Sequence, residues 1–338
     1  MTDSVAQPYT GRRSGRVELA DARLADHTQV GAIYAPESLA SDVVTVPAAA
    51  PAVSEGGGGD AASRPRQRAR TGSQQLQAIS DNLSDRDWRI LRSLTAHPFL
   101  TTLHIQRLHF TDHASISSGS RICRRVLSRL AAIRAVRHLE RRIGGVRAGS
   151  ASFVWRLGPV GERLLQRALG GADGPRLRRK EPSLHHLDHC LAVAETHIRL
   201  LEAGRAHAPE LLRLQTEPIC WRPYATFGGG RAVLKPDLYA VTASGDFEDS
   251  WFIEVDRGTE SLPTLLRKCG QYEEYRRSGV EQRKHNVFPR VLWLLPDARR
   301  VHVLGAALDQ ARSLDRSLFR VATFDELISA VIEAATND

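Results

Sequence analysis

Apolar residues recur at helical intervals from residue 84 onward, and the first clear case is LSDRDWRILRSLTAHPFL. There Trp88, Ile90, Leu91 and Leu94 form one stripe, and Ser84 three residues ahead of Asp87 has the spacing of a capping box, so a helix is predicted over 85–96. Thr101 or Thr102 is placed to cap a short second helix carrying Leu103, Ile105 and Leu108. Ile122, Val126, Leu127, Leu130 and Ile133 keep the helical interval through SGSRICRRVLSRLAAIRAV, a third helix. The pattern then changes. VRHLERR and SASFVWRLG read as two strands joined by IGGVRAG, and Pro159 opens a closing helix that runs to 169. Three short helices followed by a hairpin make a winged helix-turn-helix domain, expected over 83–170.

GADGPRLRRKEPS, 171–183, is rich in Gly, Pro and basic residues and reads as a linker. Beyond it, 184–338 has a mixed α/β pattern. A long helix in HHLDHCLAVAETHIRLLEAG precedes strands near LLRLQTEPICW, VLKPDLYAVT and SWFIEVD. The helix LPTLLRKCGQYEEYRRSG, the apolar strand VFPRVLWLLP, a short helix around 305–313, and a last strand and helix follow. Residues 1–82 behave differently: scattered apolar residues, VVTVPAAAPAV, GGGG at 56–59 and SRPRQRARTG at 63–72 bury too little to offset the entropy of ordering, so a disordered arm is expected. The fold class is therefore α+β, two domains behind an arm.

Length and composition agree: 338 residues, 42% hydrophobic and 25% charged, suit about two domains. A net charge of +9, carried mostly by arginine, favours a polyanionic partner. The third helix concentrates that charge. Arg121, Arg124, Arg125 and Arg129 fill the positions between its apolar residues, and Arg137 and the hairpin residue Arg147 continue it. Glu140 is the only carboxylate between 120 and 150. Such a face suits a major groove, where guanidinium groups meet guanine edges or phosphates, and double-stranded DNA is the expected partner.

The four cysteines lack CxxC spacing, no run of about 18 apolar residues occurs, and the first residues lack a signal-peptide core, which together place the chain in the cytoplasm with no membrane partner. His185, His186 and His189, with Asp188, share a helical turn and read as polar packing rather than a metal cluster. Tyr272 and Tyr275 sit beside Leu265 and Leu266 and read as helix packing rather than as nucleophiles.

The acidic residues of the second domain carry its chemistry. KPDLYAVT and WFIEVDR set Asp237 and Glu254 near the ends of two apolar strands about 17 residues apart, and a hairpin would bring them together. Oxygen ligands of that kind can hold Mg²⁺ or Mn²⁺ beside a phosphodiester, with a nearby cation stabilising developing charge. This resembles the PD-(D/E)xK nuclease core, which implies a restriction-endonuclease-like α/β domain. Pro236, Asp237 and Glu254 match its pattern, and Glu195 stands where the resemblance implies a helix acid. The departure is Asp256, an acid in the lysine place that could assist in metal binding, which leaves Lys268 on the following helix to supply the cation.

IEVDRGTESL, LLRKCGQYEEY and KPDLYAV, with the winged helix ahead of them, resemble the replication-relaxation family of actinobacterial plasmids and integrative elements over about residues 84–330. The resemblance implies work in the replication or transfer of mobile DNA; replication or transfer proteins and, through the C-terminal domain, a second copy of the chain in a homodimer are further candidate partners. Two activities stay open: a metal-dependent DNA endonuclease, or a non-enzymatic DNA-binding regulator or accessory factor on an inactive nuclease fold.

Overall fold

The structure, a computed structural model, describes residues 16–18, 72–113, 115–139, 153–170, 182–206 and 209–336. The first unit contains α1 (Ser73–Asp81), α2 (Asp85–Ala96), α3 (Thr102–His109), α4 (Ile116–Ala132) and α5 (Pro159–Ala168). It also has a small antiparallel sheet in which β4 (Val154–Leu157) lies between β2 (Leu100–Thr101) and β3 (Val136–His138). Three of the helices start on reciprocal caps: Ser84 with Asp87, Thr101 with His104, and Ser115 with Ser118. Each cap satisfies amide groups that have no partner inside the helix. Ile90, Leu91, Ile105, Leu127 and Leu130 are fully buried in the common core.

The unit begins earlier than its composition suggests. Helix α1 lies inside the stretch expected as arm up to residue 82, because Leu76, fully buried, joins the core with Ile79 packed against it. Tertiary burial here outweighs a polar local sequence. At the other end, a Cβ on Gly158 would lie 2.2 Å from the Arg134 carbonyl oxygen, so only glycine lets the chain entering α5 pass the turn after α4. The hairpin tip expected at IGGVRAG, including Arg147, and most of the expected linker lie outside the described residues.

The second unit opens with α6 (Leu184–Arg205) and is built on a mixed sheet. Its strands run in the order β11 (Phe319–Thr323), β10 (Arg290–Leu295), β9 (Phe247–Val255), β8 (Leu238–Ser244), β5 (Glu210–Thr216). The β5–β8 and β8–β9 pairs are antiparallel, while β9–β10 and β10–β11 are parallel. A further short strand, β1 (Arg16–Glu18), pairs antiparallel with the start of β9, within the stretch expected as arm. Helices α7 (Leu262–Ser278), α8 (Val280–His285) and α9 (Ala298–Gln310) follow β9 and β10; α10 (Leu327–Thr336) closes the chain. Leu265, Tyr272 and Tyr275 of α7 and Leu304 and Leu308 of α9 pack with Phe252 on one face of the sheet; Leu200 of α6 and Leu327 and Val331 of α10 pack with Trp251 and Ile253 on the other. That division is the two-residue alternation of β9 expressed in space.

Two differences from the sequence pattern matter for function. VLKPDLYAVT is two strands, not one: β7 (Arg231–Leu234) pairs with β6 (Arg222–Ala225) in a separate hairpin, and β8 restarts at Leu238. Pro236 cannot donate to a ladder, so the chain leaves one sheet and enters another with Asp237 at the joint. The helix expected at 305–313 starts at Ala298, where the Asp297 carboxylate accepts from the Arg300 amide. No described helix is long and apolar enough to cross a membrane.

Helix α6 also packs against the first unit, contributing Ala194 and Ile198 to its core. Beside them His97 and His197, both buried, are joined ring to ring at 2.8 Å. Arg107 of α3 donates to Glu195 at 2.6 Å and, through two nitrogens, to Glu202 at 2.8 and 2.6 Å.

Candidate active site and nucleic-acid interface

Asp237 and Glu254 meet because the β8–β9 register aligns Leu238 with Ile253, which leaves the two acids at the same end of the pair. Both are buried, Glu254 completely. Asp237 accepts from the Val255 amide at 2.7 Å through Oδ2, and its Oδ1 lies 3.3 Å from His189 Nε2 on α6. Glu254 points from β9 to the α7 side, where Lys268 Nζ donates to Oε2 at 2.5 Å and the Tyr272 hydroxyl donates to Oε1 in a very short hydrogen bond. Lys268 and Tyr272 are four residues apart on α7, one turn, so a single helix face delivers both donors.

The electrostatics divide the two acids. Burial, with the Asp237 charge adding to it, pushes Glu254 up to about 8 against the opposing pull of Lys268 and Tyr272. For Asp237 burial also acts upward, but the His189 hydrogen bond, the Lys268 charge and the Val255 amide outweigh it and hold the group below the ordinary carboxylate range. Burial disfavours the Lys268 charge, yet Glu254 and Asp237 together keep it protonated well beyond its ordinary range. His189 is raised by its hydrogen bond to Asp237. The two acids are thus shifted in opposite directions within one site that also holds a charged lysine.

Asp256, two residues beyond Glu254, takes a different part. Its Oδ1 accepts from the amides of Gly258 and Thr259 at 2.9 and 3.3 Å, and its Oδ2 accepts from Arg300 on α9. It ties down the loop leaving β9, and none of these three contacts involves Asp237 or Glu254. Glu195 is not brought to the acid pair either. Its carboxylate is engaged by Arg107, Arg199 and His104, and burial is outweighed by these hydrogen bonds, which pull it down to about 2. The α6 residue that does reach the pair is His189, legible in the sequence only as one of three histidines in LHHLDHC. His186 instead lies 3.6 Å from Cys190 Sγ. Tyr272 belongs to the site as a hydrogen-bond donor to Glu254.

Asp237 and Glu254 are oxygen donors of the type a hard cation takes, and each of their oxygens is already engaged by a protein donor. Two carboxylates are what Mg²⁺ commonly takes from a protein, but among the described residues no group of three or more His, Cys, Asp or Glu is arranged to hold a metal ion of any kind.

On α4, Arg121, Arg124 and Arg125 are exposed, as is Arg137 on β3, while Cys123, Leu127 and Leu130 face the core. Arg129 differs: its Nη2 reaches both oxygens of the buried Asp87 at 2.6 and 2.7 Å and so joins α4 to the capped start of α2. The cap and Arg129 outweigh burial and hold Asp87 below the ordinary carboxylate range.

No curated protein and no solved structure matches the chain. A family described as Replication-relaxation matches residues 91–291, more than half of the 338 residues and a span that holds α4, Asp237, Glu254 and Lys268. The chain belongs to the replication-relaxation family.

Proposed function

We propose that this is a DNA-binding protein of plasmid replication or transfer, in which a winged helix docks duplex DNA and a PD-(D/E)xK nuclease-like unit nicks it with a divalent metal. The observation that carries the reading is Lys268 Nζ at 2.5 Å from Glu254, beside Asp237. The strand position that would carry the lysine holds Asp256, and the next helix delivers the cation in its place. The order helix, three antiparallel strands, helix, parallel strand supports the nuclease-like reading of the second unit. Helices α2 to α4 followed by the β3–β4 pair support the winged-helix reading of the first, and the exposed arginines of α4 supply its DNA-facing charge.

In this reading Asp237 and Glu254 would hold Mg²⁺ or Mn²⁺, which supplies Lewis acidity toward a phosphate oxygen and an attacking water. The chain's own groups do the positioning. His189 and the Val255 amide orient Asp237, Tyr272 orients Glu254, and Lys268 offers positive charge to a phosphate. A second reading, a non-enzymatic DNA-binding factor, is favoured by one observation: every oxygen of Asp237 and Glu254 already has a donor from the protein within 3.3 Å.

Incubation with supercoiled plasmid and Mg²⁺ or Mn²⁺, beside an Asp237→Ala, Glu254→Ala double variant, separates the two. Nicked circles from the parent alone support the nuclease. Intact plasmid from both proteins, with both still shifting DNA in a gel, supports the binding factor.

A further inference from the structure

The β6–β7 hairpin has no part in the acid site, yet its second strand runs directly through Lys235 and Pro236 into Asp237. Its base is firmly held. Tyr224 and Leu234 are buried against α7, the Tyr224 hydroxyl donates to Glu274 at 3.1 Å, and the Arg222 guanidinium lies 4.9 Å from the Tyr239 ring. Its tip is held as well. Thr226 and Gly230 close the turn through a backbone bond of 2.9 Å and a side-chain bond of 3.1 Å, and Gly229 at φ +78° supplies the left-handed step.

On this rigid ribbon Phe227 stands 80% exposed at the apex. One exposed apolar residue is ordinary on a protein surface; what distinguishes Phe227 is that it heads a closed turn whose stem carries exposed cations. The charge says which kind of partner suits it. Between Glu217 and Asp237 the sequence has Arg222, Arg231 and Lys235 and no carboxylate. Arg231 and Lys235 are exposed, and the Lys235 ammonium lies over the Trp221 ring at 4.5 Å, leaving a cationic edge beside the aromatic tip. An apolar tip with a cationic stem complements a chain with flat apolar bases and an anionic backbone.

We infer that the β6–β7 hairpin binds unpaired DNA, with a base stacked on Phe227 and the backbone held by Arg231 and Lys235, next to the acid site. The inference rests on the proposed DNA function and adds a single-strand subsite to it. It gives the protein a grip on a strand already separated from its complement, distinct from the duplex grip of α4.

The test uses the full chain and fluorescence anisotropy with a labelled single-stranded oligonucleotide and its duplex. Phe227→Ala should weaken single-strand binding by about tenfold, the size of one base–aromatic stack, and leave duplex binding within about twofold. Phe227→Tyr should bind as the parent does, and Phe227→Leu should behave like alanine. Because the ring touches solvent, all three variants should melt with the parent. Unchanged single-strand affinity in Phe227→Ala, equal loss on both DNAs, or full binding by Phe227→Leu would each overturn the stacking role. A parent chain that binds duplex but no single strand sinks this inference alone, whereas one that binds neither removes the DNA function with it.

Discussion

The arginine face of α4 and the acid site under α7 are made in opposite ways. The first comes from one helix: residues three and four apart in the sequence present Arg121, Arg124 and Arg125 to solvent. The second needs α6, the start of β8, the end of β9 and α7, and it is buried. An exposed cationic face works through water and salt-sensitive charge, so its parts act almost independently. A buried group of two acids, a lysine and a histidine acts as one unit, because in low dielectric each charge sets the protonation of the others. Arg129 and Asp256 mark the boundary between the two kinds of site. Each resembles its neighbours in sequence, and each is held by a contact that joins two elements of the fold.

The sharpest break between the regions is expected from Lys268→Met. It should lower metal-dependent nicking by about 10²- to 10³-fold, the scale of a lost preorganised charge, while duplex affinity stays unchanged in a gel shift. Residual nicking within threefold of the parent would remove Lys268 from the chemistry. Next in size, Arg121→Ala with Arg125→Ala should weaken duplex binding by about ten- to a hundredfold and reduce the slope of log affinity against log salt by about 2, with no change in melting. An unaltered salt slope would show that these arginines do not meet phosphate.

Arg129→Ala tests whether one residue of the basic stripe is structural. It leaves buried Asp87 without its ion pair and should cost about 1–2 kcal/mol in denaturant unfolding, discounted because Arg129 is half exposed, with duplex affinity within about twofold of the parent. Loss of affinity with no loss of stability would reverse that assignment. The smallest effect concerns the boundary between the units. Burial depresses His197 to about 4 and, together with neighbouring histidines, takes His97 well below the ordinary 6.5, so the folded state favours both neutral rings. The unfolded chain binds more protons below about 6.5, hence this stability is fully present above that pH and is lost as pH falls toward 4. By pH 5.5 the loss from His197 alone should be about 1 kcal/mol relative to pH 7. His197→Gln should flatten that dependence in chemical denaturation at the two pH values, and an equally steep dependence in the variant would place its origin elsewhere.

The sequence by itself determined what depends on neighbours along the chain. Helices α2, α3 and α4 are legible from apolar spacing and from Ser84, Thr101 and the arginine pattern, because caps and helical faces are set within three or four residues. The pairing of Asp237 with Glu254 was also legible, since two adjacent antiparallel strands leave few registers that bury both apolar sets. Only the tertiary structure decided which helical groups meet that pair. His189 reaches Asp237 while Glu195, six residues on along the same helix, meets Arg107 of the other unit, and nothing in the local pattern distinguishes them. The same holds for Leu76, which drew a polar segment into the core as α1, and for Pro236, which divided one apolar run between two sheets and left Phe227 on a ribbon of its own. Helical faces and caps follow from short-range geometry, whereas the partner of a buried charge is fixed by how separate elements pack, and that information is spread over the whole chain.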